Sequence, residues 1–367
     1  MAVSPVGRLL RRCAPRNDTP RLTTSFSVPS PSVSVLMPCY NAAATVDEAV
    51  ESILAQTFRD FELVVVDDGS VDETRRRLET WSRRDRRVVV VGQEHLGLVA
   101  ALQSGLGVCR GPFLARMDAD DRSHPERLAG QLSFLDSHPD LAVVGCLVEG
   151  FPAGEVRQGL RLYLEWLNSL VAPQDIAREM FIESPLAHPS AFLRREWLER
   201  VGGYQDHGWP EDYDLWLRLH LAGARFAKVE RVLLAWREHP ARATHTDRRY
   251  AIENFLRAKA HYLMAGPLAG RGAVVIWGAG QMGRRLSKHL ARADAPLRAF
   301  IDIDPAKIGK QRRGVPIMSP ADLPALWSSL DRPALLAAVG SRGARALIRA
   351  QLTALGLVEG EDWWAVA

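Results

Sequence analysis

The chain has 367 residues, 47% of them hydrophobic and 25% charged, with a formal net charge of +4, enough apolar material to bury more than one core. No apolar run approaches the roughly 18 residues that a membrane-spanning helix needs, and so modest a charge gives no reason to expect a nucleic-acid partner. Cys13, Cys39, Cys109 and Cys146 form no C-x-x-C pair, which argues against a zinc site and a disulfide framework and fits a reducing cytoplasm.

Residues 1–31 carry Arg8, Arg11, Arg12, Arg16 and Arg21 against one acid, Asp18, and run into a Ser/Thr/Pro-rich tract. Such a segment has too little apolar surface to fold and lacks the apolar core of a secretory signal. It reads as a disordered basic tail; the alternative is peripheral adhesion to the anionic inner face of the cell membrane. From Val33 the pattern changes. Val33-Ser34-Val35-Leu36-Met37 leads into Pro38-Cys39-Tyr40-Asn41 and a helix expected over 44–56. Leu63-Val64-Val65-Val66 lacks alternation, as a strand buried on both faces does, and ends in Asp67-Asp68-Gly69-Ser70. Strand, polar loop and helix in repetition predict an α/β fold with a doubly wound sheet, whose ligands bind beyond the carboxyl ends of the strands.

The third unit, residues 112–114, ends in Ala115-Arg116-Met117-Asp118-Ala119-Asp120-Asp121. Three like charges this close repel unless a cation sits among them, and a hard divalent ion such as Mg²⁺ or Mn²⁺ suits oxygen ligands. The alternative is a solvated acidic turn capping a helix that starts near His124-Pro125. The second acidic strand end, Asp67-Asp68, decides between them, because both clusters then lie on one rim of the sheet.

Together, Pro38-Cys39-Tyr40-Asn41, Val66-Asp67-Asp68-Gly69-Ser70, Met117-Asp118-Ala119-Asp120-Asp121, His188-Pro189-Ser190, Gly202-Gly203-Tyr204, Glu211-Asp212-Tyr213-Asp214-Leu215-Trp216-Leu217-Arg218 and Trp236-Arg237-Glu238-His239 resemble the family 2 glycosyltransferases with a GT-A fold. The resemblance covers roughly residues 33 to 245. Gln103 stands where many members have Asn, and Val71 where Thr is common. The resemblance implies a metal-dependent, inverting transfer of a sugar from a nucleotide-sugar donor to an acceptor hydroxyl, by single displacement. The acceptor would be a saccharide or lipid-linked saccharide in surface polysaccharide or glycoconjugate synthesis. It assigns the metal contact to Asp120 and faces Asp118 to the donor's ribose or sugar; Asp121 is expected to begin the following helix. It gives Asp67 and Asp68 the nucleotide base and ribose, where carboxylates accept hydrogen bonds, and sets Pro38, Tyr40 and Asn41 along the same pocket.

Glu211-Asp212 opens a helix whose Leu215, Trp216 and Leu219 share one face, so burying that face aims the first turn at the rim. Acids at a helix N-terminus are also what the macrodipole favours in any protein, and that position lowers a carboxylate's pKa and weakens it as a base. Geometry comes before pKa; following the family, Asp212 is the expected base and Glu211 an acceptor-side or orienting group. His239 reads as a metal or diphosphate contact or as a structural histidine, His188 as an acceptor-cleft or a core residue, and Arg116 as a strand-end ion pair or a donor contact.

Gly266-Pro267 and Gly270-Arg271-Gly272 mark a linker over 263–272, dividing a glycosyltransferase domain at 32–262 from a Rossmann-like domain at 273–367. The second opens Ala273-Val274-Val275-Ile276-Trp277 and continues Gly278-Ala279-Gly280-Gln281-Met282-Gly283, a helix to about residue 292 and a strand ending at Asp302. Strand, G-x-G-x-x-G, helix, strand and acid form the dinucleotide-binding fingerprint in context. Gly278, Gly280, Gly283 and Asp302 therefore form a candidate nucleotide site, a bare scaffold of tight turns being the alternative. A nucleotide-sugar oxidoreductase or epimerase would explain this unit, yet no Tyr-x-x-x-Lys pair occurs in the chain and the acidic rim would be idle. A non-catalytic sugar-binding protein is the third reading, and it would have no need of Asp212.

Overall fold

The protein is described by a computed structural model over residues 30–341 and 343–367; the readings made of the basic tail therefore fall, up to residue 29, outside the described residues. Val33–Cys39 (β1) and Phe61–Asp68 (β2) are buried at every position, which is why their Val/Leu runs do not alternate. With Val88–Gln93 (β3) and Phe113–Arg116 (β4) they form a parallel half-sheet in the order β3-β2-β1-β4.

The other half departs from a purely parallel sheet. Beyond β4 lie Phe192–Arg194 (β7), Val143–Phe151 (β6), Phe226–Arg237 (β8) and the two-residue Arg122–Ser123 (β5), in that order. β7 runs antiparallel to both β4 and β6, β6 and β8 are parallel, and β5 is antiparallel to β8. The chain leaving β4 at the centre must thus reach β5 at the far edge, carrying Asp118, Asp120 and Asp121 across the strand ends. Pro38 is tolerated in central β1 because the β1/β4 ladder stops at Leu36 opposite Arg116, so its missing N–H falls beyond the last rung.

The helix after β1 spans Val46–Leu54 and buries Val46, Ala49, Val50 and Ile53, the i, i+3, i+4, i+7 stripe of an amphipathic helix. Glu211–Leu221 buries Leu215, Trp216 and Leu219 as its spacing predicts. Ile252–Ala265 is longer than expected: residues 263–265, read from sequence as linker, complete it.

A second sheet follows, built from Ala273–Trp277 (β9), Leu297–Ile301 (β10), Gln311–Arg312 (β11), Val315–Met318 (β12), Pro333–Ala337 (β13) and Trp363–Ala365 (β14). Its order is β11-β12-β10-β9-β13-β14, parallel except at β11, so the strands following β9 are added first on one side of it and then on the other. The two sheets lie in one compact unit, Pro31–Ala367. Within it Glu253 accepts 2.8 Å bonds from Arg285 Nε and His289 Nε2, and the buried Lys259 ammonium bridges the carbonyls of Ile182 and Val366.

The fingerprint glycines are not equivalent. A Cβ on Gly283 would stand 1.8 Å from the Gly278 carbonyl oxygen, whereas one on Gly280 would meet nothing within 4 Å. Gly283→Ala must push helix Gln281–Arg292 off β9 and is expected to cost roughly 1–3 kcal/mol of stability or more, against no measurable cost for Gly280→Ala. Denaturant midpoints of the two variants check this, and equal midpoints would refute it.

Candidate functional site

Both acidic strand ends do share one rim. After β4, Arg116 is buried against Asp118, with which it forms an ion pair. Burial alone would lower the guanidinium's pKa, but Asp118 outweighs it and holds it above its ordinary value. The strand-end ion pair of Arg116 is present, and Arg116 also lines a cavity with Asp118 and Asp120. Carboxylate oxygens of Asp118, Asp120 and Asp121 lie within 4.8 Å of one another. Burial and the Asp118 charge raise the pKa of Asp120, and burial with both neighbours raises that of Asp121 further.

The placement of Asp121 corrects the sequence expectation. The following helix begins at Arg127, not at residue 121, and Asp121 is 1% exposed because β5 starts at the next residue. Its Oδ1 accepts a 2.8 Å bond from the Arg237 N–H, while its Oδ2 has no partner among the described residues. The end of β8 clamps the whole segment: Arg237 Nε donates to the Asp120 carbonyl at 2.6 Å and His239 Nε2 lies 2.8 Å from Asp120 Oδ2. A buried carboxylate oxygen without a donor, beside two more carboxylates and an imidazole, is a donor set suited to a divalent cation.

At the ends of β1 and β2 the predicted nucleotide residues divide. Asn41 takes the left-handed conformation at φ 49°, accepts the Val71 N–H at 2.9 Å and donates its own N–H to Ser70 Oγ at 2.9 Å. Asp68 is occupied: Oδ1 accepts from Gln93 Nε2 and the Leu96 N–H, and Oδ2 from the Gly97 N–H beside the His95 ring. Asp67, also buried, accepts only the Ser70 N–H at 3.2 Å, with Arg75 3.7 Å from its other oxygen. Tyr40 stacks on His95 at 3.9 Å between centroids. Sequence reasoning missed that partner, although Glu94-His95-Leu96-Gly97 after a strand on this rim was a signal for a loop ligand. Gln103 is turned away, receiving the Tyr204 N–H at 3.3 Å.

A cavity of about 660 Å³ joins the remaining parts. Its lining brings Arg116, Asp118 and Asp120 of the acidic rim together with Glu183, Ser184, Glu211 and Asp212. Tyr40, Asn41, Asp67 and Asp68 do not line it; they are tied to it through Leu98, which follows the loop held by Asp68, and by the 2.9 Å bond from Thr45 Oγ1 to the Ala119 carbonyl. Glu211 is buried, yet the Tyr250 hydroxyl at 2.9 Å and His188 Nδ1 at 3.4 Å overcome burial and pull its pKa below the ordinary range. Asp212 goes the other way. Burial first, then the adjoining Glu211 charge and Glu183, push it up to about 8, against the bonds from the Tyr213 N–H and Ser184 Oγ. The lowering expected from the helix dipole is thus reversed, since an interior site outweighs a partial charge at a helix end.

His188 fits both of its readings: buried, 3.1 Å from the Tyr204 hydroxyl, and on the cavity wall. Glu183, Ser184 and Tyr250 were missed. Glu183-Ser184 had a weak signal, a charged residue between the apolar pairs Phe181-Ile182 and Leu186-Ala187; Tyr250 had none.

The family model for Glycosyl transferase family 2 matches residues 34–202. Among curated relatives, the amylovoran biosynthesis glycosyltransferase AmsE of Erwinia amylovora is 33% identical over 204 residues, 55% of this chain and 74% of that protein. The putative glycosyltransferase EpsE of Bacillus subtilis is 32% identical over 229 residues, 61% of this chain and 79% of that one. Among solved structures, S. aureus TarS 1–349 in complex with UDP-GlcNAc aligns with a TM-score of 0.53 at 19% identity, covering 71% of this chain and 72% of that one, a likeness of fold. With the acidic rim and its cavity in place, these matches identify the chain as a member of glycosyltransferase family 2.

Proposed function

We propose that the protein is a metal-dependent, inverting glycosyltransferase that moves a sugar from a nucleoside diphosphate to an acceptor hydroxyl. The observation that carries this reading is the shared cavity: Asp118 and Asp120 of the acidic cluster line it together with Asp212, a half-buried carboxylate whose pKa is pushed up to about 8. The donor's diphosphate belongs at the Asp118, Asp120 and Asp121 end, its nucleoside beside Asn41, Asp67 and the Tyr40–His95 stack. Asp68, its oxygens filled, holds the 93–97 loop. A divalent ion held by Asp120 and its neighbours, with His239 in reach, supplies Lewis-acid neutralisation of the departing diphosphate.

Asp212 as carboxylate takes the acceptor's hydroxyl proton; that oxygen attacks the anomeric carbon from the Asp212 side. The bond to the diphosphate oxygen breaks with its electron pair leaving on the diphosphate, and the configuration inverts. Ionised Glu211, fixed by Tyr250 and His188, keeps Asp212 basic enough to serve at neutral pH. Relatives are named for amylovoran and O-antigen biosynthesis, and one from Escherichia coli, 26% identical over 250 residues, is named as a UDP-Gal:α-D-GlcNAc-diphosphoundecaprenol β-1,3-galactosyltransferase. A lipid-linked saccharide acceptor and a cytoplasmic site at the membrane face are part of the same proposal. No helix among the described residues is long and apolar enough to cross a membrane.

Incubation with UDP-, GDP- and dTDP-sugars is expected to release nucleoside diphosphate from one of them with Mg²⁺ or Mn²⁺ and to fall at least about 100-fold in EDTA, since metal neutralisation is worth several kcal/mol. Turnover indifferent to chelator would overturn the metal assignment.

A further inference from the structure

The glycosyltransferase reading leaves the second sheet unused. At its topological reversal lies a cavity of about 610 Å³, within the range of small-molecule sites, formed by the loops after β9, β10 and β13 and by helix Ala344–Ala354. Two fingerprint glycines are explained by packing: Gly278 sits at φ +111° with a Cβ position 2.7 Å from Val339, and Gly283 abuts Gly278. Gly280 is not. It has an ordinary φ of −76°, lines the cavity, and has open space where a Cβ would be. Among the described neighbours nothing requires a glycine there, whereas a ligand lying against the backbone would.

Asp302 separates ligand classes. In a dinucleotide site the acid after the second strand is free to take a ribose hydroxyl. Here it is 6% exposed and three donor groups make four contacts with its carboxylate oxygens: Oδ2 takes the Ala279 N–H at 2.8 Å and Lys307 Nζ at 3.3 Å, Oδ1 the Asp304 N–H at 2.9 Å and Lys307 Nζ at 3.4 Å. Asp302 staples the glycine loop, and Lys307, paired with both Asp302 and Asp304 at 3.3 Å, is the cation that the described cavity lining offers a ligand. Lys307 and the open backbone at Gly280 share the cavity with Leu347, 68% exposed, and Ile348, which give it apolar surface. That combination suits a diphosphate joined to a flat base.

The helix supplying the apolar face also touches the first sheet's machinery. Arg345 and Arg349 pair with Glu179, Arg349 at 3.3 Å. Glu179 ends helix Pro173–Glu179, and the chain then passes Ile182, whose carbonyl is held by Lys259, to Glu183 and Ser184 beside Asp212. We propose that this cavity binds a nucleoside diphosphate, free or carrying a sugar, and that its occupancy is transmitted through Arg345, Arg349 and Glu179 to residues 179–186.

The binding half needs no transferase activity, so it is tested in EDTA. Titration calorimetry of the full chain with UDP, GDP, dTDP and NAD⁺ is expected to give one equivalent of a nucleoside diphosphate, weakened at least about tenfold in Lys307→Ala, the worth of one charge-assisted contact. Binding should be lost in Gly280→Val, whose unliganded melting temperature reports that it folds. No binding by any probe, binding by NAD⁺ alone, or binding indifferent to both variants would overturn the site. Amide hydrogen exchange with the bound nucleotide should slow over 179–186 as well as around the cavity, and Glu179→Gln should keep binding while losing the distant effect. Protection confined to 278–283 and 338–351 would overturn the transmission.

Discussion

Asp212→Asn is expected to lower transfer by roughly 10²- to 10⁴-fold, the contribution of a positioned general base, while leaving binding of the nucleotide donor within about twofold. The substitution keeps the shape of the side chain and an acceptor for the Tyr213 N–H, which Oδ1 takes at 2.7 Å, so helix Glu211–Leu221 has no reason to move. Because the proposed donor and metal contacts belong to Asp118 and Asp120 and not to Asp212, donor affinity and transfer should separate. Equal loss of both would make Asp212 a structural residue, and transfer retained within tenfold would remove it as the base.

Two pH signatures accompany that variant. With Asp212 raised to about 8, the carboxylate form grows as pH rises, so kcat/KM of the wild type should climb up to about pH 8 and level off, with the residual activity of Asp212→Asn lacking that step. Stability runs the opposite way. A carboxyl whose pKa is higher folded than unfolded favours folding in its protonated form, so its contribution is whole below about pH 4, the ordinary Asp value, and declines as pH rises toward 8. Asp212→Asn removes the charge that must be buried at high pH. At pH 8.5 it should therefore melt above the wild type, by roughly 1–3 kcal/mol of stability. A residue that loses activity and gains stability on neutralisation is held under electrostatic strain for its function.

What the sequence disclosed and what it withheld follow the range of the forces involved. The rim was legible because unalternating apolar runs ending in Asp67-Asp68 and Asp118-Ala119-Asp120-Asp121 are local patterns, and parallel topology aims all strand ends one way. Asp121 was misread because Asp before an expected helix is a strong local preference, overridden here by the pairing of Arg122–Ser123 with β8, more than a hundred residues on. The Asp212 pKa was misread for the same reason: the dipole belongs to the helix, but burial and Glu183 are brought by distant chain. Tyr250, 39 residues beyond the Glu211 it bonds, carries no local mark at all. The antiparallel β7 also escaped, since a three-residue strand has no period to read.

Asp120→Ala tests the metal assignment, and it is expected to abolish metal-dependent turnover, a loss of roughly 10³-fold for about 4 kcal/mol of charge stabilisation. Activity alone does not separate a ligand from a donor contact, so a thermal readout is needed. Without a cation, Asp118, Asp120 and Asp121 repel within 4.8 Å, and the unpartnered Asp121 Oδ2 adds the cost of a buried acceptor. Mn²⁺ at 100 times its dissociation constant should stabilise the wild type by about 2.7 kcal/mol, which raises its melting temperature by several degrees. Asp120→Ala should begin more stable than the metal-free wild type, because one of three crowded charges is gone, and should gain nothing from Mn²⁺. His239→Ala leaves all three carboxylates in place and is expected to keep part of the Mn²⁺ shift, since the imidazole reaches the cluster only through Asp120 Oδ2. An undiminished shift in Asp120→Ala would move the metal off this residue and leave the cluster as an acidic turn clamped by Arg237.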